Sequence, residues 1–366
     1  MKRVILSGGG TGGHIYPAVA VAEALKRKWG EDVELLFVGA EGKMEMEKVP
    51  ALGYNIKGLP VAGLQRRLAL SNFALPFKVM SSIRRAKRII RDFNADIVVG
   101  FGGYASAPVL RAAQSLGVPT LIQEQNSYAG LTNKLLSKRA KRICVAYEGM
   151  ERFFPKERIV MTGNPLRGRF SAEGVDRGEA LAYYGFNSDM PVILVVGGSL
   201  GTRTLNEMMK AWILTLGGEA PVQVIWQTGK YYEREMQEFL KAHPTKNIWQ
   251  GAFIERMDYA YAAADVVLSR SGACTVSELC LVAKPTIFVP SPNVAEDHQT
   301  KNAMALVNKG AAEIVRDSEA VARGMQEAVA LAEDKERLTT LKTNIAKLAI
   351  DDSAERVVRE IEKLIK

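Results

Sequence analysis

The residues best suited to chemistry lie in one short turn, where five glycines and a histidine follow an apolar run. The stretch LSGGGTGGHIYP covers residues 6–17. Glycines lack Cβ atoms, so backbone N–H groups can approach an anion or a sugar oxygen, and the positive end of a following helix favours the same ligands. His14 adds an imidazole, which titrates near neutral pH. The turn therefore predicts a ligand site with a candidate general base.

The same glycines are compatible with other turns. Gly8, Gly10 and Gly13 match the G-x-G-x-x-G pattern of dinucleotide-binding enzymes, but the acidic residue expected at the end of the second strand comes late, at Glu41. No lysine follows the glycines, which excludes a P-loop. A tight strand-to-helix turn without a ligand is the structural alternative. His14 favours the ligand site, since Ser or Asp would meet a purely structural need at a helix start.

A second candidate site lies in the stretch LSRSGACTVSEL of the second half. A strand runs into Ser271, Gly272 and Ala273, and a helix is predicted to begin near Thr275. Small residues there leave backbone N–H groups for a diphosphate at the helix N-terminus. Glu278 then lies one turn in, where a carboxylate can accept hydrogen bonds from a ribose diol. The alternative is that Glu278 forms a capping box with Thr275 and offsets the helix dipole.

Short apolar strands that end in glycine and give way to helical periodicity surround both motifs. The predicted helices include PAVAVAEALKRKWG, which starts at Pro17 and ends at Gly30, and a polar helix around Asp176 to Tyr184. This pattern is typical of parallel α/β layers. Two similar halves follow one another, which predicts two Rossmann-like doubly wound domains that face each other across a deep cleft. The predicted strands are KRVILSGGG, VELLFVGAEG, ADIVVGFGGYAS, PTLIQEQN and KRICVAY in the first half, and VILVVGGSLG, VQVIWQTG, NIWQGAF, ADVVLSRSGA and PTIFVPSP in the second.

Composition excludes several classes of protein. The chain has 366 residues, of which 47% are hydrophobic and 24% charged, as in ordinary globular proteins of two domains. The longest stretch without a charged residue, 4–22, contains five glycines and a proline, so no transmembrane span is expected. The apolar run at the N-terminus is too short for a secretory signal, and the three cysteines show no CxxC spacing. We therefore expect a cytosolic protein without disulfides or a zinc site.

Positive charge is concentrated in one part of the chain. The net charge is +9, and residues 48–91 contain ten Lys and Arg residues but no Asp or Glu. The rest of the chain is therefore close to neutral. A basic surface of this kind indicates an anionic partner, either a membrane or a nucleic acid.

Seven motifs, in a fixed order along the chain, carry a resemblance to a known family. They are GGGTGGHIYPAVAVAEAL, GFGGYASAPVL, QEQNSYAGLTNKLLS, TGNPLR, GGSLG, SRSGACTVSEL and EDHQTKNA. With them the sequence resembles the MurG family of glycosyltransferases, which move N-acetylglucosamine (GlcNAc) from UDP-GlcNAc to the C4 hydroxyl of the N-acetylmuramic acid (MurNAc) of undecaprenyl-pyrophosphoryl-MurNAc-pentapeptide. The resemblance covers essentially the whole chain. It implies a GT-B fold, an inverting reaction, and a role in peptidoglycan biosynthesis, cell shape and cell division.

The resemblance also implies a division of labour along the chain. Residues 1–164 would form an acceptor and membrane-facing domain. Residues 165–342 would bind the UDP-sugar donor, and a C-terminal helix over 343–366 would pack back on the first domain.

Donor contacts are carried over motif by motif. The resemblance implies that Glu278 binds the ribose, that the backbone of Ile254 meets the uracil, and that Gln299 contacts sugar hydroxyls. Arg167 and Ser199 would face the diphosphate. The further implied donor contacts are Asn126 beside the backbone of Thr11, Gly12 and Gly13, and the helix start at Ala273, Cys274, Thr275, Val276 and Ser277; the roles of Arg270 and Tyr104 in the same motifs are less defined.

The reaction needs one group that takes a proton and others that stabilise the leaving diphosphate. His14 is the best candidate base, because an imidazole titrates near cellular pH, and Glu124 of the QEQN motif is the alternative, either as base or as an acceptor contact. No two aspartates form an Asp-x-Asp pair, the usual diphosphate–metal motif of other sugar-nucleotide transferases. We therefore expect no cofactor and no tightly bound metal.

The resemblance gives the basic stretch a use, because a lipid-linked acceptor lies in an anionic membrane. Residues 63–88 interleave bulky aliphatic residues with basic flanks, as interfacial segments do. A solvated helix face over a core is the structural alternative. We expect a peripheral protein on the inner face of the bacterial membrane that contacts other cell-wall synthesis proteins and no nucleic acid. The candidate acceptor or membrane residues are Tyr104, Arg66, Arg67, Leu70, Phe73, Leu75, Phe77, Lys78, Arg84 and Arg85, with Lys134, Lys138, Arg139, Lys141 and Arg142 as an extension.

Two other functions stay open at this point. A related GT-B enzyme could glycosylate a different lipid, since fold alone does not fix the substrate. An NAD-dependent oxidoreductase is the other alternative, although it leaves the second Gly-rich half unexplained.

Overall fold

A computed structural model of the chain describes residues 1–61, 75–167, 174–198 and 200–365, and for residues 75–78 it describes the backbone alone. The chain folds into two compact units. Unit 1 comprises residues 1–168 and 350–366, and unit 2 comprises residues 169–349. The division by role into 1–164, 165–342 and 343–366 stays a prediction. Several predicted site residues lie outside the described part: Arg66, Arg67, Leu70, Phe73 and Ser199, together with the side chains of Leu75, Phe77 and Lys78.

Unit 1 is built on a parallel sheet in the order β3-β2-β1-β4-β5-β6-β7. Chain connections run outward in both directions from the neighbouring strands β1 and β4, so the sheet has a topological switch point between them. The strands are β1 (Lys2–Ser7), β2 (Val33–Ala40), β3 (Ile56–Leu59), β4 (Ile97–Gly100), β5 (Thr120–Glu124), β6 (Arg142–Val145) and β7 (Ile159–Met161).

Helices cover both faces of this sheet. One face packs against α1 and the C-terminal α14, and the other packs against α3, α4 and α5. Burial on both faces explains why the central strands are almost continuously apolar. The helices of unit 1 are α1 (Gly12–Trp29), α2 (Glu45–Ala51), α3 (Leu75–Phe93), α4 (Gly103–Leu116), α5 (Leu131–Ser137) and α14 (Ser353–Glu362).

Helix α14 returns to unit 1 from the far end of the chain. Its buried face, which includes Val357 and Ile361, joins the hydrophobic core beneath α1. On the surface, Arg27 of α1 donates to Glu355 over 2.9 Å, an exposed pair worth under about 1 kcal/mol. Apolar burial is therefore the main attachment of this helix.

Helix α1 begins earlier than the sequence indicates. The expected start lies at Pro17, but the helix begins at Gly12 and carries Pro17 in its second turn. Proline has no N–H to donate and is usually excluded from helix interiors. The helix ends before Gly30, at a positive φ of 54°, as predicted.

Unit 2 repeats the plan with a parallel sheet in the order β10-β9-β8-β11-β12-β13. Its switch point lies between β8 and β11, which therefore correspond to β1 and β4 of unit 1. The strands are β8 (Val192–Val196), β9 (Glu219–Gln227), β10 (Lys246–Gly251), β11 (Val266–Ser269), β12 (Thr286–Phe288) and β13 (Glu313–Ile314).

Helices also accompany every crossover of unit 2. A hydrophobic cluster joins one face of the sheet to α7, α8 and α12. Helix α6 begins as predicted, because Asp176 caps it by accepting from Glu179 N over 2.9 Å. The helices are α6 (Arg177–Tyr184), α7 (Arg203–Ile213), α8 (Glu233–Ala242), α9 (Met257–Ala263), α10 (Ala273–Leu281), α11 (His298–Val307), α12 (Asp317–Glu333) and α13 (Lys335–Ala346).

The predicted class of two Rossmann-like domains is confirmed. All ten predicted strands form, and the described residues add three that the sequence analysis did not identify: β3, β7 and β13. Each of these has two to four residues and lies at the edge of its sheet.

Candidate functional site

The candidate site of unit 1 lies at the switch point of its sheet. The Gly-rich turn after β1 meets the loop that joins β4 to α4 so closely that a Cβ on Gly103 would lie 2.2 Å from the carbonyl oxygen of Gly9. Gly103 also has a φ of +79°, which other residues rarely adopt. Only glycine allows the two segments to touch at this point. The segment after β4 therefore helps to hold the Gly-rich turn in place.

His14 lies in the first turn of α1 and bonds back to the Gly-rich turn. Its Nδ1 lies 3.1 Å from the carbonyl oxygen of Gly9 and 3.2 Å from Oγ1 of Thr11. A carbonyl oxygen can only accept, so Nδ1 carries the hydrogen of this bond. In the neutral ring the lone pair is then on Nε2. This is the tautomer that a general base acting through Nε2 requires.

Glu124, the other candidate base, is buried at the end of β5 and surrounded by donors. Its Oε1 accepts from the backbone N of Asn126 over 3.1 Å and from Asn126 Nδ2 over 3.4 Å. Its Oε2 accepts from Gly130 N over 3.0 Å and from Asn133 Nδ2 over 2.9 Å. Four donors match the four acceptor positions of a carboxylate. The arrangement suits a residue that orders the loop from 125 to 133 better than one that takes a proton.

The other predicted residues of unit 1 are arranged around this turn and loop. Tyr104 is 58% exposed at the start of α4, beside Gly103. Arg167 donates from Nε to Glu23 of α1 over 3.0 Å, so in this structure it forms an ion pair within unit 1. Its predicted contact with a diphosphate stays a prediction, as do the sugar contacts of Asn126 and of the Thr11–Gly13 backbone.

One residue of this site was not identified from the sequence. Glu45, the first residue of α2, is fully buried, and its carboxylate accepts from Gly10 N over 2.9 Å and from Ala40 N over 3.0 Å. An acidic residue after the second strand was expected only for a dinucleotide-binding protein. Here such a residue binds the Gly-rich turn itself.

The candidate site of unit 2 lies at the corresponding switch point, where β11 leads into α10. The helix begins at Ala273 with Gly272 as its N-cap, two residues earlier than expected. Thr275 is thus inside the helix, and the capping-box alternative is wrong. The N-cap residue Gly272 provides no side-chain cap, and the backbone N–H groups of a helix N-terminus suit an anion.

Arg270 anchors the turn before α10. Its Nη1 donates to the carbonyl oxygen of Val289 over 2.7 Å and to Oδ1 of Asp317 over 2.6 Å. Thr204 of α7 donates to the other oxygen of Asp317 over 3.1 Å. The motif arginine therefore ties the turn to the N-terminus of α12.

Glu278 lies in the second turn of α10, where Tyr261 of α9 affects the ionisation of its carboxyl group. Tyr261 of α9 donates from its hydroxyl to Glu278 Oε2 over 3.4 Å and is itself buried. Removal from water raises the pKa of Glu278 to about 7, while the bond from Tyr261 acts in the opposite direction. Burial raises the pKa of Tyr261 well above its usual value, so this hydroxyl is a donor throughout the physiological range.

Two loops at the end of the unit 2 sheet are linked by a residue that the sequence analysis missed. Oε1 of Gln227 accepts from Ile254 N over 3.1 Å, and its Nε2 donates to the carbonyl oxygen of Gly198 over 3.0 Å. Gln227 thus joins the segment predicted to meet uracil to the GGSLG loop after β8. The side chain is buried at the end of β9, and a single buried glutamine after a strand gives no sequence signal by itself.

Gln299 connects α11 to the same edge of the sheet. Its Oε1 accepts from Ser291 N over 2.9 Å, and its backbone carbonyl accepts from Ser271 Oγ over 2.9 Å. Along α10, Ser277 donates to the carbonyl oxygen of Ala273 over 3.1 Å, while Val276 is buried in the core. The structure therefore brings Gln299 and the start of α10 together through Ser271.

The described residues offer no candidate for a metal site or for a membrane span. No group of three or more His, Cys, Asp or Glu residues in them is placed to hold a metal ion. Among their helices, none is both long enough and apolar enough to cross a membrane.

Family models match the two halves separately. The model of the glycosyltransferase family 28 N-terminal domain matches residues 4–145, and that of the family 28 C-terminal domain matches residues 192–357. The chain belongs to glycosyltransferase family 28. The family predicted from the sequence is thereby confirmed, and with it the assignment of the chain as a glycosyltransferase.

Named relatives of this family 28 chain match it over its full length. A Parabacteroides distasonis protein named UDP-N-acetylglucosamine–N-acetylmuramyl-(pentapeptide) pyrophosphoryl-undecaprenol N-acetylglucosamine transferase is 54% identical over 99% of this chain and 98% of its own. A Porphyromonas gingivalis protein of the same name is 53% identical over 99% of this chain and 96% of its own.

A solved structure agrees with the family assignment. The crystal structure of Acinetobacter baumannii MurG is 31% identical, matches with a TM-score of 0.78, and covers 99% of this chain and 100% of that one. Family 28 membership and this likeness confirm the predicted GT-B fold.

Proposed function

We propose that this family 28 enzyme transfers GlcNAc from UDP-GlcNAc to the C4 hydroxyl of the MurNAc of undecaprenyl-pyrophosphoryl-MurNAc-pentapeptide. The observation that carries the proposal is the 54% identity, over 99% of the chain, to a protein named for this transfer. The product is the disaccharide-linked lipid of peptidoglycan synthesis. The reaction needs both units, one for each half of its chemistry.

Unit 2 supplies the donor half. The N-terminus of α10 stabilises the diphosphate, because its backbone N–H groups and the helix dipole favour negative charge. Glu278 accepts hydrogen bonds from the ribose hydroxyls. The carbonyl of Ile254 accepts from the uracil, while Gln227 already engages the Ile254 N–H and holds that segment in place.

Unit 1 supplies the base. Nε2 of His14 takes the proton of the acceptor hydroxyl as its oxygen attacks the anomeric carbon, and the bond from that carbon to the diphosphate oxygen breaks. The electron pair of the broken bond leaves with UDP. Glu124, with all four acceptor positions engaged, orients Asn126 and its loop rather than taking the proton.

The leaving-group charge is stabilised without a bound metal in this proposal. The helix N-terminus acts first, and Arg167 adds a guanidinium if it exchanges Glu23 for the diphosphate. Addition of a chelator is therefore expected to leave the rate unchanged.

The enzyme meets its lipid acceptor at the cytoplasmic face of the membrane. Support comes from α3, where Val79 and Met80 are exposed next to the basic Arg84. Leu131 and Leu135 of α5 are exposed as well. A basic cavity of about 480 Å³ in the same unit is lined by Lys138, Arg139, Lys141, Arg142 and Arg158, with Ala140 and Glu157. Flotation with phosphatidylglycerol vesicles, and loss of flotation in Arg84→Glu, are the expected results; binding to DNA instead would contradict the proposal.

The activity is tested by release of UDP from UDP-GlcNAc, measured with and without a short-chain lipid-linked muramyl pentapeptide. Release that depends on this acceptor is expected. Release that depends only on a different lipid, such as diacylglycerol, would move the enzyme to another acceptor within the same fold. Reduction of NAD, without UDP release, would overturn the proposal altogether.

A further inference from the structure

Glu45 is a buried acid whose position the transfer reaction does not explain. It is the first residue of α2 and has no exposed surface. Removing a carboxylate from water is costly unless hydrogen bonds replace the lost solvation. Its partners therefore indicate what it does.

Both partners are backbone N–H groups, and they belong to different segments. Oε1 accepts from Ala40 N at the end of β2, over 3.0 Å, and Oε2 accepts from Gly10 N in the Gly-rich turn, over 2.9 Å. One carboxylate thus joins the turn after β1 to the end of the neighbouring strand. Each bond uses a different oxygen of the carboxylate.

The surrounding glycines admit this side chain. A Cβ on Gly9 would lie 2.1 Å from Oε1 of Glu45, and a Cβ on Gly39 would lie 2.5 Å from its Cγ. Neither position tolerates a side chain while Glu45 remains in place. Part of the glycine content of the motif therefore serves Glu45 rather than a ligand.

Gly9 links this carboxylate to the candidate base. Its carbonyl oxygen accepts from Nδ1 of His14 over 3.1 Å, and the next residue, Gly10, donates to Glu45. Gly103 packs against Gly9 from the other side. The Gly9 carbonyl is thus held between α2 and the start of α4 and points at the imidazole.

We propose that Glu45 is a positioning residue, which fixes the Gly-rich turn so that the Gly9 carbonyl holds His14 in its Nδ1–H tautomer. The positioning of the Gly-rich turn by Glu45 follows from geometry alone, while its consequence for catalysis rests on the proposed function. Loss of the carboxylate releases the Gly10 N–H and lets the Gly9 carbonyl turn away from Nδ1, which removes the acceptor that favours the Nδ1–H form. The lone pair on Nε2 is then no longer guaranteed.

The direct test is the tautomer of His14, read from long-range ¹H–¹⁵N spectra of the full chain near pH 8. The chain has three histidines, so the His14 signals are assigned by their loss in His14→Ala. Wild type is expected to show the Nδ1–H form. In Glu45→Gln an amide NH₂ replaces one acceptor and faces a backbone N–H, so a mixture of tautomers is expected.

Matched variants separate positioning from general damage. Glu47→Gln changes an exposed acid of the same helix and is expected to leave spectrum and rate unchanged. Glu45→Asp keeps the charge but is one methylene too short to bridge both N–H groups, so it should show a partial effect if Glu45→Gln fails to fold. In the transfer assay Glu45→Gln should lower kcat at least ~10-fold, with KM for UDP-GlcNAc changed less than about 2-fold.

The inference and the proposed function can fail separately. An unchanged His14 spectrum in folded Glu45→Gln or Glu45→Asp would overturn the inference, whatever the activity. A shifted spectrum together with full activity of His14→Ala would leave Glu45 as the positioning residue and remove His14 as the base.

Discussion

The turn after β1 in unit 1 and the turn after β11 in unit 2 share one plan and differ in charge. Both connect a central strand at the switch point to a helix, and both are made of small residues. In unit 1 the buried carboxylate of Glu45 already occupies the Gly10 N–H. In unit 2 the N-cap residue Gly272 provides no side-chain cap for α10, and Arg270 anchors the turn from behind.

A Gly-rich turn before a helix is therefore not by itself an anion site. A carboxylate beneath the turn repels a diphosphate, because two negative charges at close range inside a protein are costly. The turn of unit 1 is therefore suited to hold a base and an uncharged sugar. The turn of unit 2 is suited to hold the diphosphate.

The largest effect is expected when the base of unit 1 is removed. His14→Ala should lower kcat by about 10²–10⁴-fold, the usual contribution of general-base catalysis, while KM for UDP-GlcNAc changes little because the donor binds through unit 2. Steady-state kinetics with the lipid-linked acceptor measure both constants. His243→Ala removes an exposed histidine and serves as the control.

A smaller effect is expected in unit 2, and it concerns KM for UDP-GlcNAc rather than kcat. Glu278→Ala removes an acceptor for ribose hydroxyls; a hydrogen bond to a charged group contributes about 1.5–3 kcal/mol, so KM for UDP-GlcNAc should rise roughly 10–150-fold. kcat at saturating donor should fall far less than in His14→Ala. If Glu278→Ala lowered kcat alone, the division of labour between the turns would be wrong. Glu238→Ala, at an exposed position of α8, is the control.

The same carboxylate predicts how donor binding depends on pH. The pKa of Glu278 is raised to about 7, so at pH 6 most of the free enzyme carries a neutral acid. Ribose hydroxyls bond best to the ionised form, so donor binding releases a proton and KM should fall as pH rises from 6 to 8, by at most about 10-fold per unit. Glu278→Gln, which cannot ionise, should give a flat profile. A wild-type profile equally flat would contradict the role of the charge.

The smallest effect is expected from the partner of Glu278. The Tyr261 hydroxyl stabilises the ionised carboxylate, so Tyr261→Phe should raise the midpoint of the KM profile and increase KM about 2–5-fold at pH 7. At pH 9 the difference should shrink, since the carboxylate is ionised in both proteins. Tyr183→Phe, with an exposed ring, is the control. An unchanged midpoint would remove Tyr261 from the site.

Sequence patterns predicted the architecture because the central strands are apolar and run into turns that contain glycine. The short edge strands β3, β7 and β13 were not predicted. His14 and Glu278 could be identified because both stand in turns where residue type and spacing limit the alternatives. Glu45, Gln227 and Tyr261 could not, because each acts through a hydrogen bond between segments distant in the sequence.

Glu124 shows the limit most clearly. From the sequence His14 was the better candidate base, but Glu124 remained an alternative that residue type and spacing could not exclude. Its four donors become visible only when the loop from 125 to 133 is folded around it. The choice between an acid that takes a proton and one that orders a loop depends on such partners, not on residue type.

The most direct test of the division between the two turns is calorimetric titration of UDP into wild type, His14→Ala and Glu278→Ala at pH 8. His14→Ala should bind UDP with wild-type affinity, and Glu278→Ala should bind UDP at least about 10-fold more weakly. Weakened binding in His14→Ala together with unchanged binding in Glu278→Ala would place the nucleotide at the turn of unit 1 and contradict the account.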